Sequence, residues 1–560
     1  MFVKKTAIAF IVASLSVLNI VQAAPQDFLD QQEQREAAKR AAEESQRRSQ
    51  EEMVRLGKKK KTLAKLILPE ETPSFFVEEI ILEGEKSESF AWVQRYLDRY
   101  KNSNIGMNGI NLLLQQINEA ILEKGFVTSK IYITEQDISS GKLIFTLAPG
   151  LVGQIRFAEE NTWGTWQNAF PILPGDLLNI RKIEQGLEQM RRVPSQDIDI
   201  DIQPSEIAGQ SDLVISVKRS KPWRIVISMD DSGTKDTGKS QTSSSLGLDN
   251  LFSVNDILNI SYNRDAVRDG EIKGTRANSF YYSVPFGRQT FSFSKSRNSY
   301  HQTVKTAVWP MKYSGISHYY NFTVTHLLHR NQKGKTDLEL GIIKKTRRSF
   351  IDNTEISVQR QSTTAMRLGV IHKKYIGQSV VDIALRYQAG THLFGARPGV
   401  TDKVPNSPTT QYSMYLFDFN LNAPFKLENL KGRYNLTIRG QHTKYRLYGS
   451  EFFSIGGRYT VRGFDGEQSL SAESGYIIRQ ELSFPIIKKQ HQLYTALDYG
   501  KVSGPSTKFL LGKELSGFAI GLRGNIKPFQ YDVFVGWPIR KPDGYKTQNQ
   551  AFGFYVTAQF

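Results

Sequence analysis

Ala551-Phe-Gly-Phe-Tyr-Val-Thr-Ala-Gln-Phe560 ends the chain. Phe552, Phe554, Val556, Ala558 and Phe560 alternate with Gly553, Tyr555, Thr557 and Gln559, giving a strand one oily face and an aromatic last residue. A β-barrel that closes on its final strand carries this pattern. The alternation recurs upstream. Tyr434, Leu436 and Ile438 interleave with Arg433, Asn435, Thr437 and Arg439, and Tyr476, Ile478, Leu482 and Phe484 oppose Arg479, Glu481 and Ser483. Alternation alone fits a soluble sandwich as well as a membrane barrel. The aromatics at Tyr281-Tyr282, Tyr319-Tyr320, Phe452-Phe453 and Trp537 fall near segment ends, as interfacial girdles do. Residues 222–560 hold room for roughly 12 to 18 strands of about 10 residues with their loops.

Working toward the N-terminus, the pattern changes. Residues 150–219 predict a strand at 152–158, a helical turn at 163–169, a helix capped by Asn179 with Ile180, Ile183, Leu187 and Met190 on one face, and strands near 197–203 and 212–218. Residues 75–149 show a similar order: a strand at 76–82, a helix near 90–100, and a second helix with Ile110, Leu113, Leu114, Ile117 and Ile121 on one face. Strands at 127–133 and 143–147 follow. Two tandem α+β modules of this size leave sheet edges that can accept an extended peptide as an added strand; spacer modules would look the same.

Residues 26–56 contain neither Gly nor Pro and are rich in Ala, Glu, Gln and Arg, which favours a helix that is polar all round. Such a helix is either a solvated arm or the occupant of a wet pore. Residues 1–23 join Lys4 and Lys5, an apolar run from Ala7 to Leu18 and small residues around Val21-Gln22-Ala23, the form of a cleaved signal peptide. An exported chain with no later apolar run long enough for a spanning helix is a secreted soluble protein or an outer-membrane barrel. A hydrophobic fraction of 39% excludes a disordered tail, and the absence of cysteine excludes a disulfide scaffold. The net charge of +18 suits nucleic acid, an anionic membrane or an acidic partner without choosing among them.

Gly233-Thr-Lys-Asp-Thr-Gly238-Lys239-Ser240 matches the phosphate-binding P-loop pattern. The polar, strand-like run after it does not open a helix, so the match reads as a hairpin loop. No G-x-S-x-G elbow, H-E-x-x-H pair or cysteine nucleophile is present, which argues against an enzyme and against catalytic, cofactor or metal residues. The stretch Phe452-Phe-Ser-Ile-Gly-Gly-Arg-Tyr-Thr-Val-Arg-Gly-Phe464-Asp-Gly-Glu467 places Arg462 in a glycine-rich loop. Tyr494-Thr-Ala-Leu-Asp498-Tyr-Gly500 sets an acid in a strand-like run. A buried guanidinium and a lumen carboxylate pair in bidentate fashion, whereas a solvated loop arginine and a turn aspartate need no partner.

Val461-Arg462-Gly463-Phe464 with Asp498-x-Gly500 resembles the superfamily of outer-membrane barrel insertases and transporters. Further stretches narrow this to the two-partner secretion transporters of the TpsB, or hemolysin-activator, family. They are Gly125 to Tyr132, Glu135 to Gly141, Arg192-Val-Pro-Ser195, Asp230-Asp-Ser-Gly233, Asp249-Asn250 and Asn255-Asp256. The resemblance covers nearly the whole chain. It implies a mainly β protein: a 16-stranded antiparallel transmembrane β-barrel preceded by two α+β POTRA modules and an N-terminal polar plug helix. The implied divisions are a signal peptide 1–23, plug helix 24–56, linker 57–74, POTRA modules 75–149 and 150–219, and barrel 222–560 with an inward-folded loop around 450–474. Arg462 of the inward-loop motif is then expected against Asp498 on the barrel wall, beside Gly500. The implied function is secretion of a cognate large exoprotein bearing an N-terminal secretion domain, with an insertase as the alternative. Outer-membrane lipids and the barrel-assembly machinery are the other expected partners, with no cofactor and no nucleic acid. The expected location is the outer membrane of a Gram-negative bacterium, with the POTRA modules in the periplasm.

Overall fold

The computed structural model describes residues 30–49, 53–56 and 66–560, with 268–269, 271, 306–308, 398–406, 429 and 487–489 excepted. The signal-peptide reading of residues 1–23 and the first part of the linker, 57–65, lie outside the described residues.

Lipid offers no hydrogen-bond partners, so a sheet can cross it only by closing on itself. Among the described residues, sixteen strands do this: Trp223–Asp230, Gln241–Asp249, Ile257–Asp265, Lys273–Phe286, Gln289–Val304, Met311–Asn331, Gly334–Ile351, Gln361–Ile376, Ser379–Thr391, Ser413–Leu427, Leu430–Thr443, Ser474–Ile486, His491–Ser503, Glu514–Ile526, Phe529–Arg540 and Ala551–Gln559. Each pairs antiparallel with its neighbour, and the last closes on the first, with Thr557 opposite Ser228. The two-residue strand Thr354–Glu355 is an appendage of Gly334–Ile351 rather than a member of the ring.

The two-residue period sorts the side chains. Ile225, Ile227, Leu368, Val370, Leu385, Leu493 and Leu497 are exposed on the outer face, while Glu339, Asp382, Arg386 and Asp418 are buried inside. The same period corrects the girdle reading for Tyr281, Tyr319, Phe452 and Phe453. Adjacent tyrosines point to opposite faces, so Tyr281 and Tyr319 meet arginines in the lumen. Phe452 and Phe453 belong to the inward loop, packed on buried apolar clusters. Trp537 stacks on Phe518 at 6.0 Å.

The first module lays α2 (Ala91–Leu97) and α3 (Met107–Glu123) on a three-stranded sheet whose central strand is Lys142–Ala148. Leu113, Ile117 and Ile121 of α3 are buried with Phe90, Leu97 and Phe145, as the helical spacing requires. The strand expected at 76–82 breaks at Glu78, and its first half, Ser74–Val77, pairs with Ser103–Gly106, a strand with no clear sequence signal. In the second module α4 (Ile180–Arg191) packs on Leu151–Phe157, Gln210–Arg219 and Gln196–Pro204. The Asn179 side chain caps α4 by accepting the Arg181 N–H at 2.8 Å. The helical turn expected at 163–169 is present as one turn, the Ala169 and Phe170 N–H groups donating to the Trp166 carbonyl at 2.9 and 3.1 Å, and it goes no further because the flanking main chain is recruited by barrel loops. The Thr165 N–H donates to the Ser253 carbonyl at 3.1 Å, and the Asn168 carbonyl accepts the Gly287 N–H at 2.8 Å.

The N-terminal helix, α1, runs from residue 30 to 49, about 30 Å long at 1.5 Å per residue. Residues 53–56 are not helical, against the expectation of a helix through 56. There the N–H groups of Met53, Val54 and Leu56 bond to Tyr375, Glu188 and Glu184 in place of helical carbonyls. The P-loop match at 233–240 is the loop of the first barrel hairpin, closed by a bridge between Thr234 and Gly238.

Candidate functional site: inward loop, lumen helix and module junction

The connection between strands Leu430–Thr443 and Ser474–Ile486 folds into the barrel. Its backbone lies so close to the wall that a Cβ on Gly517 would sit 1.9 Å from the Arg462 carbonyl oxygen, which only glycine avoids. Gly500 serves similarly, since a Cβ there would sit 2.9 Å from methyl carbons of both Ile455 and Val461. Val461 and Phe464 are buried in an apolar cluster with Ile455, Leu470, Leu515 and Tyr545, and the Phe464 ring meets Tyr545 edge-on at 5.7 Å.

This packing drives Arg462 into the wall. Its Nε donates to Asp498 Oδ2 and its Nη2 to Asp498 Oδ1, both at 2.8 Å, and its own N–H also donates to Oδ2 at 2.9 Å. Asp498 is 0% exposed, so the bidentate pair is water-excluded. Nη1 donates to Glu481 Oε2 at 2.7 Å, Arg523 holds the other Glu481 oxygen, and Arg479 approaches Asp498 at 3.6 Å. The structure thus brings Arg462, Asp498 and Gly500 together with Val461, Gly463 and Phe464. It adds Glu481, Arg479 and Arg523, whose inward direction was legible in the alternation of Ser474–Ile486 and Glu514–Ile526 but whose partners were not.

Helix α1 occupies the lumen. Arg347 pairs with Asp30 at 2.5 Å and Glu33 at 3.6 Å; Arg386 pairs with Glu44 at 2.7 Å; Arg48 reaches Asp382 at 3.3 Å and Asp418 at 3.6 Å. Arg40 stacks over Tyr319 at 4.6 Å and Arg47 over Tyr281 at 5.6 Å. The N-terminal half of α1 also touches the inward loop. Gln34 donates to the Gly449 carbonyl at 2.7 Å and accepts from Ser471 at 2.6 Å, and Arg35 bonds the Gly466 carbonyl. These contacts are polar, and α1 contributes no leucine zipper or apolar stripe to the wall. Arg48, Arg347, Asp382, Arg386 and Asp418 are buried, so each pair trades the desolvation of its ions against their attraction, and water restores that desolvation when α1 moves away.

The junction between the second module and the barrel collects the remaining sequence motifs. In the Arg192-to-Ser195 turn, Arg192 donates to Ser283 Oγ at 2.5 Å and the Ser195 N–H to Asp249 Oδ2 at 2.9 Å. Asn255 donates to the Thr165 carbonyl at 2.7 Å and to Asn168 at 2.9 Å. On α4, Glu188 meets Arg330 at 2.7 Å and Lys335 at 2.5 Å, and Glu184 meets Arg330 at 3.4 Å. Burial works against ionisation of Glu188, but the Lys335 and Arg330 cations outweigh it and hold its pKa down to about 2. A depressed carboxyl pKa makes docking complete above the ordinary carboxylate value of 4.5 and weakens it as pH falls toward 2. Hydrogen-exchange protection of α4 is therefore expected to hold steady from about pH 7 to 5 and decline below about 4.5, with Glu188→Gln abolishing that decline. Loss of protection already near neutral pH would contradict this assignment.

A closed lipid-facing barrel with a polar helix in its bore, an arginine-anchored inward loop and two modules at its mouth defines an outer-membrane transporter. Residues 209–524 match the family described as haemolysin secretion/activation protein ShlB/FhaC/HecB, residues 75–150 match a ShlB-type POTRA domain, and residues 151–204 match a POTRA domain. The chain belongs to the ShlB/FhaC/HecB family of two-partner secretion transporters, located in the outer membrane with its POTRA domains in the periplasm. It is 35% identical over 513 residues to the outer membrane transporter CdiB-2 of Burkholderia pseudomallei strain 1026b, covering 88% of each chain. It is 25% identical over 381 residues to the hemolysin transporter protein ShlB of Serratia marcescens, covering 68% of this chain and 67% of the relative. The solved structure of CdiB from Acinetobacter baumannii superimposes with a TM-score of 0.84 at 27% identity, covering 95% of this chain and 99% of that one.

Proposed function

We propose that this transporter recognises one large exoprotein, an adhesin, hemolysin or contact-dependent toxin, and secretes it unfolded without ATP. In this reading residues 1–23 are a signal peptide, 24–56 carry the plug, 57–74 a linker, 75–149 and 150–219 the capture modules, and 222–560 the pore. The observation that carries the proposal is the α1 helix, held in a closed bore by polar side-chain contacts. Such an occupant can leave without unfolding the barrel, whose strands are held by their own backbone ladder. The modules capture the exoprotein's N-terminal secretion domain by strand addition on a sheet edge, α1 vacates the lumen, and the chain threads through. Folding outside buries apolar surface and prevents return, which supplies direction where no nucleotide is consumed. Lipid and the barrel-assembly machinery act on the transporter itself, and nucleic acid has no part.

The test is co-expression with a candidate exoprotein, the large exported protein expected to be encoded beside this chain, comparing its native form with a version unable to fold. Export of the native form and arrest of the other supports the proposal. Export of both at the same rate would show that outside folding does not drive transport.

A further inference from the structure

Met53-Val-Arg-Leu56 lies in a groove between α4 and the periplasmic end of the barrel. The main-chain groups of Val54 and Leu56 are all held by side chains. The N–H of Val54 donates to Glu188 Oε2 at 3.3 Å and that of Leu56 to Glu184 Oε1 at 2.5 Å. The Val54 carbonyl accepts from Arg330, and the Leu56 carbonyl from Arg181 at 3.5 Å. Alternate residues of an extended chain are about 6.5 Å apart, close to the roughly 6 Å between residues four apart on a helix, so Glu184 and Glu188 match every second N–H of a passing strand. The Val54 and Leu56 side chains pack on the core of the second module, while Arg55 turns to stack over Tyr375 at 4.2 Å. Recognition is therefore of the backbone plus two apolar positions two residues apart, a pattern that many unfolded sequences satisfy.

The groove opens on a cavity of about 1050 Å³ lined by Met53, Val54 and Glu188 together with Arg47, Arg48 and Lys373 inside the barrel. A peptide seated here is already aimed at the lumen. Residue 53 follows the last residue of α1 by four positions, a tether of at most about 14 Å, so displacing the segment pulls on α1.

We propose that this groove is a binding seat for an extended, apolar-x-apolar segment of the unfolded exported protein, and that residues 53–56 occupy it as a resident competitor whose displacement releases α1. The proposal rests on the secretion reading above and adds to it where the passenger first engages the pore.

The chain has no cysteine, so one introduced thiol can report on α1. The probe is a fluorescent peptide spanning residues 50–58, with a control carrying Val54→Asp and Leu56→Asp. Binding is measured to the detergent-purified full chain and to a full chain carrying the same two substitutions, which vacates the seat. The native peptide is expected to bind the vacated chain at least about tenfold tighter than the control peptide does, since two partly buried apolar side chains are replaced by charges. In the otherwise native chain, excess native peptide is expected to raise the maleimide reactivity of an Ala38→Cys thiol on α1. Equal binding of the two peptides to a folded vacated chain overturns the seat, and so does unchanged thiol reactivity, which is read on the otherwise native chain and decides even if the substituted chain folds poorly. Export by the native chain, measured in parallel, separates the two ideas: export without peptide binding sinks the seat alone, and absence of export sinks the secretion reading.

Discussion

Arg462→Ala is expected to cut export of the cognate exoprotein by at least about tenfold while leaving an inserted, heat-modifiable barrel. The substitution strips Asp498, which is 0% exposed, of its bidentate partner and Glu481 of one of its two arginines. Removing one partner of a buried pair typically costs about 3 to 5 kcal/mol because the other charge is stranded. That loss falls on the loop's attachment to the wall, whereas the sixteen-stranded ring keeps its ladder. The loop also holds α1 through Gly449, Gly466 and Ser471, so its release disturbs the occupant of the pore. If the pair is the reason, Asp498→Ala added to Arg462→Ala should cost much less than the sum of the two single changes. Full export by Arg462→Ala, or strict additivity, would remove the pair from the mechanism.

Deleting residues 26–49 is expected to raise single-channel conductance in planar bilayers several-fold. A helix with side chains is about 10 to 12 Å across, and a 16-stranded barrel without one encloses an aqueous channel. The wall groups freed by the deletion, among them Arg347, Arg386, Asp382 and Asp418, would then meet water and mobile ions, so their exposure does not collapse the barrel. The deletion leaves residues 53–56 in their groove, which separates opening of the bore from vacancy of the seat. Unchanged conductance would mean that α1 does not obstruct the channel.

The contacts behind these expectations differ in how far the sequence shows them. Arg462 and Asp498 are recognisable as a motif, yet Glu481 looked like one polar residue among several on an alternating strand. Which arginine it meets depends on shear between strands and on where a loop turns inward, neither of which local patterning encodes. The break at Glu78 and the pairing of Ser74–Val77 with Ser103–Gly106 were hidden for a similar reason: four-residue strands carry too few alternations to register. Residues 50–56 continue the helix-favouring composition of 26–49, and groups remote in the chain, Glu184, Glu188, Tyr375, Arg181 and Arg330, hold the main chain of 53–56 out of the helix.

The sequence alone determined the two-residue period of the strands around Leu436, Ile478 and Phe554, the apolar faces of α3 and α4, the polar character of α1 and the glycine-rich loop around Arg462. These are local properties, set by side-chain polarity at intervals of two or about four residues and by backbone freedom. Tertiary structure decided which tyrosine of each pair enters the lumen, how α1 is held there, and why Arg192 to Ser195 and Asn255-Asp256 lie at one junction. It decided these because closing the ring brings residues hundreds of positions apart within hydrogen-bond reach, and an ion pair is fixed by distance in space rather than along the chain.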